Sequence, residues 1–306
     1  MLYKSYSDMA ACINANLWKI PHDIDGVIGI ARSGMIPAAM IAEALNVGLT
    51  ERLFFMDIVN SGIDVQHAFN SHGWRPFNNL KNSVFGGGAR RKFIVVDDTC
   101  CNGRETQNSK TMFSEPQFSD FEFVYCVVYV DGPCGITRPD IVLEDLSHWH
   151  NQDHLFEWHV MTHPGHVKQT VFDLDGIMCL DPPDERNTAA YEAYLDNPTP
   201  FHVPSTSQPI TIVTYRLEKY RSQTEKFLDS IGVTDRNLVM YPSNSYEQRA
   251  MESPWNYKAV WYRNHDEYKL FVESDEWQAT MIYQSTWKDV YCLTTNKMFS
   301  RELETQ

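Results

Sequence analysis

The sequence has no apolar run of roughly 18 residues, the length a membrane-crossing helix requires, so no membrane span is expected. It has no Cys-x-x-Cys pair. Its seven cysteines (Cys12, Cys100, Cys101, Cys126, Cys134, Cys179, Cys292) are an odd number, which fits reduced thiols better than a disulfide framework. The stretch from Met1 to Asn14 carries Asp8 and has no signal-peptide apolar core, so a cytoplasmic location is expected. No low-complexity segment stands out. Basic residues are scarce, 26 against 40 acidic ones, for a net charge of −14. That argues against nonspecific nucleic-acid binding, which needs Lys and Arg to neutralise phosphates. It leaves room for an anionic small molecule, which one basic loop and a metal ion can hold.

Hydrophobic residues make up 43% of the 306, enough to build cores throughout, and the length predicts two domains. Short apolar runs alternate with helical patterns, so an α/β chain is expected, each domain a mainly parallel sheet flanked by helices. In the first half, strands are predicted at 26–31, 52–59, 93–98 and 121–130, and helices at 6–17, from Ser33-Gly34 to about Leu45, and after Gly103. Residues 60–90, with Gly86-Gly87-Gly88, read as loop. The stretch 145–168 breaks the pattern and holds His148, His150, His154, His159, His163 and His166. The expected division is therefore a domain at 1–147, an interdomain segment at 148–168 and a domain at 169–306. In the second domain strands are predicted at 169–174, 209–214, 257–261 and 268–273, with helices at 185–195 and 216–231.

In open parallel sheets, ligands sit at the carboxyl ends of strands. One such end is Phe93-Ile-Val-Val-Asp97-Asp98, followed by Thr-Cys-Cys101-Asn102-Gly103-Arg104-Glu105-Thr106. Two carboxylates accept ribose hydroxyls or hold Mg²⁺, and a helix N-terminus offers amides to a phosphate. This resembles the diphosphoribose-binding signature of type I phosphoribosyltransferases. The resemblance implies that Asp97 and Asp98 contact the ribose of phosphoribosyl pyrophosphate (PRPP) and that residues 101–106 hold its 5′-phosphate. A second end, Ile28-Gly-Ile-Ala31-Arg32-Ser33-Gly34, is similar to the family's pyrophosphate loop, with Arg32 meeting the leaving group and Ser33 and Gly34 giving close backbone approach. The chain departs from the family at Asn102, where Thr or Ser is usual, at Glu105, where a second Thr is usual, and at Cys101, where some members place an acidic base. A carboxylate about 4 Å from a phosphate costs on the order of 4 kcal/mol per charge pair at an effective dielectric near 20. Either Glu105 points away and Thr106 replaces it, or the pocket prefers another ligand. The acceptor would lie under a hood at 60–90, where His67, Phe69, His72, Trp74 and Phe77 can stack on a base or simply pack.

The sharpest motif is Val171-Phe172-Asp173-Leu174-Asp175-Gly176. It resembles the first motif of haloacid dehalogenase (HAD)-like phosphatases, a Rossmann-like fold, here with a small cap. The spacing serves chemistry: one Asp attacks phosphorus as a nucleophile, and the second exchanges a proton with the leaving group. The resemblance makes Asp173 the nucleophile, Asp175 the acid/base, Thr214 (in Ile210-Thr-Ile-Val-Thr214-Tyr-Arg216) the phosphoryl-binding hydroxyl, and Lys258, at a strand start, the basic residue. It places Mg²⁺ on Asp173, Asp175, Glu273 and Asp275.

Together the motifs predict a bifunctional cytoplasmic enzyme of nucleotide metabolism. One half would transfer phosphoribosyl from PRPP to a nucleobase-like acceptor. The other would hydrolyse a phosphomonoester, the 5′-phosphate of that product being the natural choice. The alternative is a phosphatase whose first domain only senses PRPP or a nucleotide. A homodimer is expected by resemblance to phosphoribosyltransferases. The histidine belt either binds a metal with Glu157 or lines a passage between domains.

Overall fold

The computed structural model describes residues 1–63, 65, 91–148, 153–184, 186 and 188–301. The chain forms two compact units, Tyr6–Gln152 and a second made of Met1–Ser5 with Asp153–Gln306. Both are α/β. The first strand, β1 (Leu2–Lys4), belongs to the second unit, where it pairs in parallel with β7 (His154–Phe156).

The unit Tyr6–Gln152 holds a five-stranded, all-parallel sheet in the order β3 (Gly48–Glu51), β2 (Gly26–Gly29), β4 (Arg91–Cys100), β5 (Phe121–Val130), β6 (Ile141–Asp145). Parallel strands need crossovers, and the helices Met35–Leu45 and Arg104–Met112 supply two of them. The stretch 52–59, predicted as a strand, is the helix Arg52–Asn60. Its aromatic and β-branched residues suggest a strand, but the Glu51 side chain accepts from the amides of Leu53 and Phe54, an N-cap. Phe55 and Ile58, three apart, face the core. Phe55 sits amid Phe93, Phe113, Phe118, Phe121 and Phe123, with ring centroids 4.9–6.4 Å away. Of the proposed hood at 60–90, residue 64 and residues 66–90, with His67, Phe69, His72, Trp74 and Phe77, lie outside the described residues.

The second unit holds a six-stranded sheet in the order β10 (Arg236–Tyr241), β9 (Ile210–Leu217), β8 (Thr170–Phe172), β11 (Leu270–Glu273), β12 (Asp289–Cys292), β13 (Lys297–Phe299). Only the β12–β13 pair is antiparallel. Two predicted elements change here. Residues 257–261 lie in the helix Pro254–Arg263, with Pro at its first turn and Lys258, Ala259 and Tyr262 on its buried face. Lys258 is therefore on a helix, not at a strand start. Arg216 is not the start of a helix but the seventh residue of β9; the helix begins at Arg221.

The stretch 153–168 is part of this unit rather than a separate connector. Leu155, Val160 and Val167 are buried in its main apolar cluster with Phe172, Leu174 and Ile212. His159, His163 and His166 stand in a row, with ring centroids 5.5 and 4.8 Å apart. Among the described residues no group of three or more His, Cys, Asp or Glu side chains is placed to hold a metal ion. The row has another consequence. Burial first, then the neighbouring imidazoles of His163 and His159, lower His166 from 6.5 to about 4.

An unfolded His166 takes its proton near its ordinary value, and the folded one only near 4. Between those values the unfolded chain binds more protons, so stability is complete above the upper one and falls as the pH drops through the window. His166→Gln is expected to shrink the loss in urea midpoint between about pH 7 and about pH 5. An undiminished loss in the variant would assign the acid sensitivity to other groups.

Candidate active site

In each unit the acidic residues of the motifs lie at or near the carboxyl ends of central strands: Asp97 and Asp98 in the last four residues of β4, Asp173 just after β8 and Glu273 closing β11. In Tyr6–Gln152, β2 and β4 run side by side with Gly29 opposite Val96, so the loop after β2 meets Asp97 and Asp98. Ser33 Oγ donates to Asp98 Oδ1 at 2.8 Å, and the Asp98 amide donates to Asp97 Oδ1 at 3.0 Å. Gly34 is required: a Cβ there would stand 2.6 Å from the Ile30 carbonyl oxygen and 2.8 Å from Asp97 Oδ1. The Ala31–Arg32 peptide is cis, and both residues are exposed. Burial, then the charge of Asp98, hold the Asp97 carboxyl well above the usual carboxylate range. The pair so disposed favours a ligand that brings hydroxyl donors or a cation.

The loop 101–106 is shaped by a segment that sequence reasoning left out. The carbonyls of Cys100, Cys101 and Asn102 accept from the amides of Asp131, Cys134 and Ile136 at 3.1, 2.9 and 2.9 Å. Gly103 has φ +85°, and a Cβ there would lie 1.9 Å from the Thr137 carbonyl oxygen, so only glycine fits. Asn102 Oδ1 accepts from the Arg104 amide at 2.9 Å. Glu105 turns aside: its Oε2 meets Arg52 Nη1 at 3.1 Å and its Oε1 accepts from Asn108. Thr106 is buried. Cys101 is exposed, and partial burial followed by the charge of Asp131 raises its thiol, so it does not serve as a base.

In the second unit Asp173 stands at the end of β8, its amide donating to the Val272 carbonyl of β11 at 2.9 Å. Lys258 reaches from its helix to both strands. Its Nζ donates to Asp173 Oδ2 at 2.8 Å, Glu273 Oε2 at 2.7 Å and Gln278 Oε1 at 3.1 Å. All of Asp173, Thr214, Lys258 and Glu273 are buried. Burial raises the Asp173 carboxyl, Lys258 lowers it, and the charges of Glu273 and Asp175 raise it again, to about 8. Burial is thus the main cause for Asp173, while the two carboxylates that share the ammonium raise Lys258 against its own burial. Gly176, at φ +74°, passes so close to Ser274 that a Cβ would lie 2.3 Å from its Oγ, which explains the glycine after the second Asp.

Asp175 is held by a residue that the motif reading did not assign. Arg216 donates Nε to Asp175 Oδ2 at 3.0 Å and Nη2 to Oδ1 at 2.5 Å, and Tyr194 OH donates to Oδ1 at 3.2 Å. Burial would raise the Asp175 carboxyl, but Arg216, Cys179 and Tyr194 outweigh it and hold it below the usual range. The signal was present in the alternation of β9, which turns Arg216 to the same side as Thr214.

Asp173, Asp175, Thr214 and Lys258 line one cavity of about 590 Å³ together with Asp181 and Asp275 at its rim. Of the four predicted metal ligands, Glu273 does not line the cavity and is held through Oε2 by Lys258 and through Oε1 by the amide of Ser274, and Asp175 is held by Arg216. Asp173 and Asp275 line the cavity, with Asp173 Oδ2 accepting from Lys258 and Asp275 Oδ1 from the amide of Gln278. Asp181 is raised by burial and then by the charges of Asp175, Glu273 and Asp275, a sign of surplus negative charge. Two carboxylates plus a substrate phosphate suit Mg²⁺, which is bound that way in phosphoryl-transfer sites.

No family model and no curated protein matches this chain. Among solved structures it is similar to a purine phosphoribosyltransferase from Pyrococcus horikoshii Ot3, at 16% identity over 51% of this chain and 92% of that one, TM-score 0.33. It is similar to the Helicobacter pylori xanthine-guanine-hypoxanthine phosphoribosyltransferase, at 13% identity over 52% and 92%, TM-score 0.34. A third is a hypothetical protein from Neisseria gonorrhoeae with bound ppGpp, at 17% identity over 51% and 88%, TM-score 0.33. Likenesses this distant do not bear on the chemistry, which rests on the residues above.

Arg216→Met is expected to leave the Asp175 carboxylate inside without its cation, at a cost of about 3–5 kcal/mol by urea unfolding. Adding Asp175→Leu should recover most of the loss, and a single variant as stable as the wild type would show the pair to be energetically idle.

Proposed function

We propose that the chain hydrolyses a phosphomonoester in its second unit and handles PRPP in its first, the two joined in one route that attaches a phosphoribosyl group and then removes its 5′-phosphate. The observation that carries the hydrolytic half is the convergence of Asp173, Thr214 and Lys258 on one cavity. Asp173 attacks phosphorus, an aspartyl phosphate forms, and the P–O bond to the alcohol breaks. The leaving oxygen takes a proton from Asp175. Water then attacks the aspartyl phosphate, gives its proton to Asp175, and releases phosphate and Asp173. Thr214 donates to a phosphoryl oxygen, and Lys258 positions Asp173 against Glu273. Mg²⁺ bound on Asp173 and Asp275 would neutralise charge between nucleophile and phosphate. The ion pair with Arg216 keeps Asp175 ionised, the form that accepts the proton in the hydrolytic step; its donor role requires a substrate that loosens that pair.

For the first unit, Asp97, Asp98, Ser33 and the turned-away Glu105 support a cradle for a ribose phosphate. There the bond from the anomeric carbon to pyrophosphate would break as the bond to the acceptor forms, with inversion. A second reading, a PRPP sensor regulating the phosphatase, is favoured by one observation: a raised thiol, Cys101, occupies the place of an acidic base.

Wild type with Mg²⁺ should hydrolyse p-nitrophenyl phosphate, and Asp173→Asn should lower the rate at least about a thousandfold while the fold persists. Chelation of Mg²⁺ should abolish it. A wild type inert toward phosphate esters would sink the hydrolytic half.

PRPP with Mg²⁺ should bind by calorimetry and lose binding in Asp97→Asn/Asp98→Asn. Pyrophosphate release with a nucleobase, and a phosphorylated product accumulating in Asp173→Asn, would support the coupled route. Binding without pyrophosphate release, but with a changed hydrolysis rate, would favour the sensor. No binding by the wild type would remove both.

A further inference from the structure

Two thiols that no motif assigned face each other in the first unit. Cys100 closes β4, and Cys134 lies in the segment that follows β5. Their Sγ atoms stand 3.0 Å apart, and Cys134 Sγ also lies 3.5 Å from the Cys100 carbonyl oxygen. The two residues are 34 apart in the chain, so the fold and not the local sequence makes this contact. Both are buried, in a small apolar cluster with Val127 and Val130. Cys134 holds its place at φ +47°, a left-handed conformation that costs free energy for any residue with a Cβ. Its amide donates to the Cys101 carbonyl at 2.9 Å. Cys101 itself is exposed and packs on Gly132, where an added Cβ would stand 2.7 Å from its sulfur.

A disulfide needs its sulfurs about 2 Å apart, so Cys100 and Cys134 must close by only about 1 Å. The place of the bridge gives it a consequence. The carbonyls of Cys100, Cys101 and Asn102 already accept from the amides of Asp131, Cys134 and Ile136, and Gly103 stands against Thr137. A covalent link at position 100 would hold that whole turn in the shape seen here. Burial, then the contact with Cys134, keeps the Cys100 thiol well above its ordinary range, which makes Cys100 the slower nucleophile.

We propose that Cys100 and Cys134 form a peroxide-sensitive lock, a disulfide that on oxidation fixes the loop 101–106 to the segment 131–137. The Cys134 sulfur attacks one oxygen of a hydroperoxide. The O–O bond breaks, water or an alcohol leaves with the thiol proton, and a sulfenic acid remains. The Cys100 sulfur then attacks the Cys134 sulfur, the S–O bond breaks, and a water leaves with the second thiol proton. Each sulfur gives up one electron and the peroxide takes both. The lock acts on the turn whether or not that turn holds a phosphate, so it does not depend on the PRPP reading.

The test uses the full chain, reduced and then exposed to hydrogen peroxide, with the remaining thiols blocked by N-ethylmaleimide in urea. Labelling is expected to fall by two from the seven cysteines of the chain, and proteolysis with mass spectrometry should find the peptides of Cys100 and Cys134 joined. Dithiothreitol in urea should restore all seven. Cys101→Ser should cross-link as the wild type does, and Cys134→Ser should not; if that variant does not fold, peptide mapping of the wild type decides alone. In the oxidised protein, hydrogen exchange of the amides of Asp131, Cys134 and Ile136 should slow by at least about tenfold, as a closed bridge restrains local opening. Oxidation that consumes Cys101 and leaves both Cys100 and Cys134 open to the label would overturn the proposal. So would a bridge that leaves exchange across 131–137 unchanged, since the turn would then not be locked.

Discussion

The second unit depends on one ammonium shared by two carboxylates. Lys258 is 2% exposed and touches Asp173 on β8 and Glu273 on β11, so a helix and two strands meet at a single charge. Removing a charge from such a trio is costly, because what remains has lost its compensation inside the protein. The same arrangement has a chemical effect. It aims the Asp173 carboxylate and gives up none of the Lys258 donors to solvent, since Gln278 takes the third. It also leaves the site with more negative charge than positive, since Asp173, Asp175, Asp181 and Asp275 line the cavity against Arg216, Arg249 and Lys258.

The first unit solves a related problem in another way. An acid stands at position 105, beside a loop expected to hold a phosphate. Glu105 is paired with Arg52, at the start of the helix that begins at position 52, although its charge still reaches Asp97 and raises it. The remaining loop is shaped by hydrogen bonds to 131–136 and by contact with Thr137, which leaves room for nothing larger than glycine at 103. Two conditions thus act together on one turn: a neighbour close enough to forbid a side chain, and an acid turned away.

Much of this was legible in the sequence, and the reasons differ by element. Strand β5 was read to the residue because ten consecutive residues rich in β-branched and aromatic side chains admit little else. The acidic strand ends, 97–98 and 173–175, were read because polar residues closing an apolar run are informative alone. The helix Pro254–Arg263 was missed because five mixed apolar residues, 257–261, satisfy both periods; its decisive features, Ser253 and Pro254, lie outside that window. Helix Arg52–Asn60 was missed for a similar reason, its cap being a Glu, which is not among the usual capping residues. The alternation of β9 puts Arg216 on the side of Thr214, but its pairing with Asp175 joins residues 41 apart, and no local pattern names that partner.

Strand β1 carries a topological consequence. The chain begins in one unit, leaves it after Ser5 for the whole of the other, and returns at Asp153, so one globule is spliced into a gap between two adjacent strands of its neighbour. A fragment cut at the histidine-rich stretch would take β7 without the strand it pairs with and would expose a new sheet edge, the kind of surface that invites association. Dissection of this protein is thus constrained at one end: the outer unit keeps the pairing of β1 with β7 only if residues 1–5 travel with it.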